Sequence, residues 1–250
     1  MSQIASKITQ ALQTYFKTNP ANHAVIGLSG GLDSAICLKL LVDAIGPSKV
    51  TCLVMPESGL TSPTNFQHAK TLSKFLNVNY HYIPINKFLT AYASIPWRPN
   101  KPAEQNIKAR IRANILQHFA ETHAALLVGT SNKTDLTIGY GAHHGELIGD
   151  IYPIGEIYKS DLPELARTLN LPEEIINKTP TRELSGGQSD ENDLRISYKD
   201  LDNVLRQLNS GLTKEELLAK GINPNLLLKI TRLIEENADK TNTSKTISIE

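Results

Sequence analysis

The stretch that most constrains the fold of this chain is residues 24–36, AVIGLSGGLDSAI. An apolar, strand-like run ends in one serine and two glycines, residues 29–31, and an apolar helical pattern begins directly after Ser34. Two adjacent glycines let the backbone turn sharply and come close to a ligand. The free N–H groups and the positive dipole end of the following helix favour phosphate. The stretch therefore predicts a strand, a phosphate-binding loop and a helix.

Asp33 is the unexpected member of this loop, because a carboxylate next to phosphates repels them unless a cation lies between. A divalent metal, most simply Mg²⁺, would reconcile the two. Ser29 and Ser34 add hydroxyl donors to the loop. No lysine follows Gly31, so the loop is not a Walker A loop, and it is not G-x-G-x-x-G either. The alternative interpretation is an ordinary glycine-rich turn between a strand and a helix.

Composition limits the classes of function. The chain has 250 residues, 40% of them apolar and 20% charged, which is enough for one large α/β domain. A net charge of +1 gives no broad field for nucleic acid or a membrane surface, and we expect neither partner. The N-terminus does not resemble a signal peptide. Cys37 and Cys52 lack a metal-ligand spacing and are interpreted as buried thiols, which fits a reducing cytoplasm.

Strand and helix patterns alternate along the first half of the chain. Strands are predicted at 24–28, 49–55, 78–85 and 124–130. Helices are predicted at 3–17 (with Ser2 as its cap), from 35 to about 46, and at 63–77, 86–95, 103–122, 160–170, 171–178, 197–208, 213–220 and 224–236. This β-α-β-α-β order predicts an α/β fold with a doubly wound parallel sheet flanked by helices, in a single domain over 1–250. Ligands of such sheets bind beyond the carboxyl ends of the strands, where the loops after Leu28 and Met55 emerge.

Three segments lack a regular pattern. Residues 96–102, PWRPNKP, contain three prolines and are interpreted as a linker or flexible lid. The polar, acidic segment 181–195 is either a disordered surface loop or a lid that orders over a nucleotide. The tail, 238–250, has no apolar period except Ile247 and Ile249.

Two further polar segments are candidates for chemistry. The exit of the predicted strand 124–130 is dense in hydroxyl, amide, lysine and aspartate groups, which suit a metal–phosphate site. A helix start capped by Ser131 or Asn132 fits the same residues equally well. Polar residues of the helix 103–122, from Asn106 to Arg112, lie largely off its apolar stripe, and a solvated basic face is the alternative there.

The glycine-rich segment 139–153 contains four potential metal ligands: His143, His144, Glu146 and Asp150. A transition-metal site is one interpretation. Adjacent histidines rarely converge on one ion, so substrate contact or simple exposure is the preferred one.

Several motifs, in order, resemble one family, the ammonia-dependent NAD synthetases of the N-type ATP pyrophosphatase superfamily. The motifs are SGGLDSA (29–35), MPES (55–58), NIKARIR (106–112), VGTSNKTDLTIGY (128–140), YPIGEIYKSDLPELA (152–166), and PTREL with GQSDENDL within 180–194. The resemblance implies an adenine-nucleotide alpha-hydrolase-like fold and a homodimer. It implies that deamido-NAD, ATP and ammonia give NAD, AMP and pyrophosphate through an adenylated intermediate.

The resemblance also implies roles for individual residues. The implied ATP contacts are Gly27, Leu28, Ser29, Gly30, Gly31, Leu32, Asp33, Ser34, Thr130, Lys159 and Thr181. Asp33 and Lys159 are the implied catalytic residues, and Asp33 with Asp135 would bind Mg²⁺. The implied deamido-NAD contacts are Asn106, Arg110, His143, Asp150 and Lys240.

The chain departs from the family pattern in three places. His143 stands where many members have a lysine, and it is a weaker cation at neutral pH. The acidic segment continues as Leu194-Arg195 instead of Leu-Gly, and Asp239-Lys240 stands in place of a His-Lys pair. These differences concern contacts with deamido-NAD more than the ATP chemistry.

Three other functions compete with this one. One is a GMP synthetase core, and another is a tRNA-modifying thiolase, which would need a basic surface or catalytic cysteines. The third is a nucleotide-sensing protein without catalysis. A glutamine-using member would carry a further hydrolase domain with a cysteine nucleophile, for which the sequence leaves no room. We therefore expect free ammonia, or ammonia from a separate partner, as the nitrogen source.

Overall fold

The computed structural model describes residues 1–241 and contains a parallel sheet covered by helices on both faces. The strands are β1 (His23–Gly27), β2 (Val50–Val54), β3 (Asn79–Tyr82) and β4 (Ala125–Val128). Their order in the sheet is β3-β2-β1-β4, and every neighbouring pair is parallel. The winding direction reverses between β1 and β4, so the loop after β1 leaves the sheet at the switch point where ligands of such folds bind.

The helices of the described chain follow the predicted order, with two additions at Lys133–Ile138 and Asp190–Leu194, the second of which lies in the segment 181–195 that was predicted to lack a regular pattern. They are α1 (Ser2–Thr18), α2 (Leu32–Ile45), α3 (Pro63–Phe75), α4 (Asn86–Tyr92), α5 (Lys101–Thr122), α6 (Lys133–Ile138), α7 (Leu162–Thr168), α8 (Glu173–Ile176), α9 (Asp190–Leu194), α10 (Tyr198–Asn209), α11 (Lys214–Ala219) and α12 (Pro224–Thr241). Short 3₁₀ turns cover Pro47–Lys49 and Lys159–Asp161. The predicted doubly wound α/β class is confirmed.

Helix ends account for most differences from the sequence prediction. Helix α5 begins at Lys101 because Asn100 caps it and Pro102 is tolerated in the first turn, so the last two residues of the proline-rich segment are helical. The helix predicted over 160–170 is split into a 3₁₀ turn and the shorter α7. Helix α12 extends into the predicted tail as far as residue 241, and the rest of the tail lies outside the described residues.

The helix starts show which sequence signals were reliable. Thr213 and Glu216 form the two reciprocal hydrogen bonds of a capping box at α11. Asn132, not Ser131, caps α6 by accepting a hydrogen bond from the Asp135 N–H. Ser2 is not a cap, because α1 begins at Ser2 itself and Met1 is in the cap position without a side-chain bond.

The alternating side chains of the strands build two cores, one on each face of the sheet. On one face, Ala24 and Ile26 of β1 pack with buried residues of α1, α2 and α7. On the other face, Val25 and its neighbours in β2 and β4 pack against α5. Both central strands are covered from two sides, which explains why they read as continuous apolar runs.

A third apolar cluster joins the C-terminal helices α10, α11 and α12 to α6. Its position matters for the site, since α6 carries the residues that follow β4 and so connects this cluster to the sheet.

Both cysteines are buried free thiols, and burial raises the pKa of Cys52 to about 12. Across residues 1–241, no helix combines the length and apolar character needed to cross a membrane.

Candidate active site

The loop between β1 and α2 is shaped by its own side chains and by one close backbone approach. The Ser29 hydroxyl accepts a hydrogen bond from the Gly31 N–H at 3.2 Å and lies 3.1 Å from the Ser34 hydroxyl. Gly30 has a φ of +81°, and a Cβ atom there would collide with the backbone carbonyl oxygen of Asn65. Helix α2 begins at this loop without a side-chain cap, so its first N–H groups suit an anion.

Asp33, in the first turn of α2, links the loop to two other elements. Its Oδ2 atom accepts a hydrogen bond from Lys159 Nζ at 2.5 Å, and its Oδ1 atom accepts one from Asn132 Nδ2 at 2.8 Å. The Lys159 side chain is only 10% exposed. Burial lowers the pKa of Lys159, but the charges of Asp33 and Asp135 outweigh burial and the pKa lies above its usual value. Lys159 is therefore a permanent cation at the edge of the loop.

Asp135, in the first turn of α6, lies on the other side of Asn132. The amide nitrogen of Asn132 donates to Asp135 Oδ2 at 2.6 Å as well as to Asp33, so this fully buried amide bridges the two carboxylates. Burial raises the pKa of Asp135 to about 7, and the charge of Lys159 only partly opposes this. Its Oδ1 atom is buried and has no hydrogen-bond partner among residues 1–241.

These residues fit a divalent cation completed by a substrate. The orphaned Asp135 oxygen and the adjacent Asp33 carboxylate are hard oxygen donors, and Mg²⁺ in proteins is often held by one or two carboxylates together with substrate phosphates. Within residues 1–241 no group of three or more histidine, cysteine, aspartate or glutamate side chains could hold a metal by itself. The histidine-based metal site considered for residues 139–153 thus gains no support; the rings of His143 and His144 stack at 3.8 Å.

A third carboxylate, that of Asp190, lies near Lys159 together with Asp33 and Asp135. Asp190 is 6% exposed and accepts hydrogen bonds from the hydroxyls of Tyr140 at 3.2 Å and Tyr198 at 3.3 Å. Burial raises the pKa of Asp190, while Lys159 and the two hydroxyls lower it. Three carboxylates therefore surround one lysine, and the surplus negative charge adds to the case for a cation.

Lys159 is held in place by a buried network behind the cluster. Its backbone N–H donates to Thr134 Oγ1 at 2.9 Å, and that hydroxyl donates to Asp202 Oδ1 at 2.5 Å. The other oxygen of Asp202 accepts the Ser160 N–H at 2.7 Å. Asp202 belongs to α10 and is 1% exposed, so the C-terminal helices fix the turn that presents the lysine.

Two cavities meet at the carboxyl ends of the strands. The first, of about 240 Å³, lies over β1, β2 and β4 and is lined largely by apolar groups that include Met55, Phe66 and Leu116. The second, of about 190 Å³, contains the loop and the Asp33–Lys159 cluster. An apolar cavity next to a charged one suits a ligand with a flat, apolar end and a polyanionic end.

The basic residues of α5 divide between the cavity wall and the surface: Arg112 lines the first cavity and Lys108 lies close to it, whereas Arg110 is exposed. Arg112 is half-buried and donates from Nε to the Met55 carbonyl oxygen at 2.9 Å beside the first cavity. Lys108 pairs with Glu57 at 2.7 Å and donates to the Leu184 carbonyl oxygen at 3.1 Å. The sequence pattern alone left their role open.

The segment from Lys178 to Glu183 covers both cavities. Lys178 Nζ donates to the Gly30 carbonyl oxygen at 2.7 Å, which fastens the segment to the loop. The Arg182 guanidinium pairs with Glu146 at 2.7 Å, which fastens it to the glycine-rich segment. Thr181 lies between these two anchors and lines both cavities.

The structure brings most of the predicted ATP contacts to these cavities. The first is lined by Gly27 and Leu28, the second by Gly31, Leu32, Asp33, Ser34 and Lys159, and both by Ser29, Thr130 and Thr181. Gly30 supplies the turn and lines neither cavity within the described chain.

The predicted deamido-NAD contacts lie outside both cavities. Arg110 donates from Nε to the His143 carbonyl oxygen at 3.1 Å, and Lys240 donates to the carbonyl oxygens of Gly139 and Gly141 at 3.2 Å. The Asp150 carboxylate accepts the Leu127 N–H at 2.8 Å. Arg110 and Lys240 thus contact the glycine-rich segment from α5 and α12, and Asp150 ties the end of that segment to β4. Asn106 lies one helical turn before Arg110 on α5.

Sequence reasoning missed three residues that build the site and one role of a fourth. Asn132 was interpreted as part of a metal–phosphate site or as a helix cap, but its bridge between two carboxylates was not predicted. Lys178 and Arg182 were not singled out, and nothing pointed to Asp202. The two charged residues flank the predicted nucleotide contact Thr181, and this spacing was an available signal. The role of Asp202 depends on the packing of α10 against the Lys159 turn and left no local pattern.

Comparisons with known proteins agree with this geometry. The family model for NAD synthase matches residues 4–244. A relative described as an NH(3)-dependent NAD(+) synthetase from Methanocaldococcus jannaschii is 40% identical over 221 residues, which cover 87% of this chain and 85% of the relative.

Two solved structures are similar over nearly their whole length. An NH3-dependent NAD synthetase from Campylobacter jejuni, in complex with the nitrate ion, matches with a TM-score of 0.84 and 30% identity, covering 98% of both chains. An NMN synthetase from Francisella tularensis matches with a TM-score of 0.85 and 26% identity, covering 99% of this chain and 98% of that one.

Proposed function

The chain belongs to the NAD synthase family, and we propose on this basis that its loop and acid cluster catalyse the ATP-dependent amidation of deamido-NAD. The enzyme is an ammonia-dependent NAD⁺ synthetase that converts deamido-NAD, ATP and ammonia to NAD, AMP and pyrophosphate. The observation that carries the assignment to these residues is the meeting of Asp33, Asp135 and Lys159 beside the loop of residues 29–34.

In the first step, a carboxylate oxygen of deamido-NAD attacks the α-phosphorus of ATP. A new P–O bond forms, the bond from the α-phosphorus to the bridging oxygen breaks, and pyrophosphate leaves with the electron pair. Negative charge grows on the leaving group, so positioning and electrostatic stabilisation dominate catalysis. The N–H groups of α2, the hydroxyls of Ser29 and Ser34, and the ammonium group of Lys159 are placed to stabilise that charge.

We propose that Asp33 and Asp135 bind Mg²⁺ together with the ATP phosphates. A bound Mg²⁺ supplies charge neutralisation for the phosphate oxygens. The support is the orphaned Asp135 oxygen and the surplus of carboxylates around one lysine. The Asn132 amide keeps the two carboxylates near each other before any cation arrives.

In the second step, ammonia attacks the carbonyl carbon of the mixed anhydride, AMP leaves with the bridging oxygen, and the nitrogen releases one proton as the amide forms. Water must be excluded, because hydrolysis would release AMP without making NAD. We propose that the segment 181–195 serves as a lid for this purpose, and that 96–102 is a second mobile segment of the single domain. The support for the first lid is that Thr181, Arg182 and Glu183 line both cavities and that Arg182 pairs with Glu146. Lys178, three residues before the lid, bonds the Gly30 carbonyl oxygen.

For deamido-NAD, we propose contacts with Asn106, Arg110, His143, Asp150 and Lys240. Arg110 and Lys240 reach the glycine-rich segment, which contains His143 and Asp150, from two different helices, and this supports a surface that holds the part of the substrate away from the reacting carboxylate. We further propose a homodimer in the cytoplasm. Exposed aromatic side chains along β3 and α4, such as Tyr82, Phe88 and Tyr92, support the first proposal, and the buried free thiols fit the second.

The purified protein tests this function directly. With ATP, Mg²⁺ and an ammonium salt, deamido-NAD is expected to yield NAD, AMP and pyrophosphate in equal amounts. The similarity to an NMN synthetase makes nicotinate mononucleotide the informative competing acceptor, and XMP serves as a second. Faster turnover of either competitor than of deamido-NAD would contradict the proposed substrate. ATP binding without turnover of any acceptor would favour a nucleotide sensor.

A further inference from the structure

Arg182 lies at the junction of the two cavities. The residues that line both are Ser29, Thr130, Glu146, Thr181, Arg182 and Glu183. Within this set Arg182 is the only cation among residues 1–241 that borders both spaces. Its side chain is 18% exposed, so it belongs to the wall and not to the outer surface.

The guanidinium is held from two sides. Its Nε and Nη2 atoms donate to the same oxygen, Glu146 Oε1, at 2.9 and 2.7 Å, and its central carbon lies 5.3 Å from the centroid of the Tyr140 ring. Glu146 is itself fixed, because its other oxygen accepts the Ala142 N–H at 2.8 Å. The orientation of Arg182 is therefore set before a ligand binds, which reduces the entropy lost on binding.

Part of the guanidinium remains available. Both hydrogen bonds to Glu146 use one edge of the group, and the Nη1 atom has no hydrogen-bond partner among residues 1–241. An arginine has five N–H donors in a planar fork that matches phosphate and carboxylate oxygens. Because Arg182 lines both cavities, this free edge is available to an anion that binds in them.

The arrangement of ATP in the proposed function identifies that anion. The apolar cavity suits adenosine, and the loop with Lys159 suits the pyrophosphate end. The α-phosphate connects these two ends, so it lies at the junction. On the basis of the proposed function, we propose that Arg182 is a further catalytic residue. Its free edge donates a hydrogen bond to a non-bridging oxygen of the α-phosphate as the carboxylate of deamido-NAD attacks.

The competing explanation is that Arg182 only fastens the lid through Glu146. The two roles predict different effects on the rate when Arg182 or Glu146 is replaced. If the ion pair is the whole function, removing either partner has the same effect and removing both adds nothing. If Arg182 stabilises charge on the α-phosphate, its loss reduces the rate far more than the loss of Glu146.

The test is the exchange of labelled pyrophosphate into ATP with deamido-NAD present and ammonia absent, which reports the first step alone. Arg182→Gln is expected to lower the exchange rate by roughly 10²–10³-fold, with a much smaller change in the KM for ATP. Glu146→Gln is expected to lower it far less. Arg167→Gln, which breaks an exposed Arg–Glu pair between α7 and α8, is the matched control and is expected to exchange like the wild type.

Chemical rescue separates chemistry from misfolding. Guanidinium at millimolar concentration is expected to restore exchange to Arg182→Ala and to leave Glu146→Gln unchanged. Equal losses in Arg182→Gln, Glu146→Gln and the double variant, or no rescue, would overturn the proposal. If wild-type exchange does not depend on deamido-NAD, the proposed function fails and the role of Arg182 fails with it. If wild-type exchange depends on deamido-NAD as expected and Arg182→Gln exchanges almost as fast, the proposed role of Arg182 is refuted and the proposed function is unaffected.

Discussion

Asp33 is central to the site because each of its two carboxylate oxygens accepts a hydrogen bond from a different residue. One oxygen meets the Lys159 ammonium and the other the Asn132 amide, which also holds Asp135. The residue thereby sets the distance between the loop, the lysine and the second carboxylate. The loop motif predicted its importance, but the amide bridge between two carboxylates required the structure.

We predict that Asp33→Asn reduces deamido-NAD-dependent pyrophosphate exchange by at least about a thousandfold, because the variant loses the charge that holds Lys159 and the proposed cation. The measurement uses saturating ATP and Mg²⁺. Asp43→Asn is the control, since Asp43 lies on the same helix and pairs with Lys39 on the surface. An Asp33→Asn enzyme that kept more than about a tenth of wild-type exchange would refute the role of Asp33.

At the scale of elements, the turn that carries Lys159 depends on a helix far along the chain. The buried carboxylate of Asp202, on α10, accepts the Thr134 hydroxyl and the Ser160 N–H, and Thr134 in turn accepts the Lys159 N–H. A 3₁₀ turn of three residues has little stability of its own, so these bonds determine its position.

We predict that Asp202→Asn lowers the free energy of unfolding by about 2 kcal/mol, because an amide nitrogen replaces one acceptor and leaves a buried donor unpaired. Chemical denaturation measures this loss. Asp200→Asn, on the exposed first turn of α10, is the control and should change stability by no more than ~0.5 kcal/mol. Equal stability of the Asp202 variant and the wild type would show that the network does not support the fold.

Local sequence signals predicted the elements better than the contacts between them. The apolar runs of the buried strands and the Thr213 capping box were sufficient to place their elements. The predicted end of helix α12, at residue 236, was too early because the last turns of the helix are polar. In the structure the helix continues to residue 241, and Lys240 donates to the carbonyl oxygens of Gly139 and Gly141. Residues joined across large sequence separations, such as Arg182 and Glu146, left no periodic signal to read.

At the scale of the whole molecule, the site lies between two structural halves. The loop and Asp33 come from the sheet and its cores, whereas Asp190, Tyr198 and Asp202 come from the C-terminal segment that packs on α6. Lys159 contacts both halves through Asp33 and the Thr134–Asp202 network. The cluster of charges is therefore complete only when the C-terminal helices are docked on the sheet.

The central claim is that this cluster lets a carboxylate attack the α-phosphorus of ATP. Deamido-NAD labelled with ¹⁸O in its carboxylate group tests that claim most directly, with the masses of AMP and pyrophosphate measured after turnover with ammonia. We predict one ¹⁸O atom in the phosphate of AMP and none in pyrophosphate, because the attacking oxygen leaves with AMP in the second step. Unlabelled AMP, or label in released phosphate alongside ADP, would contradict the account.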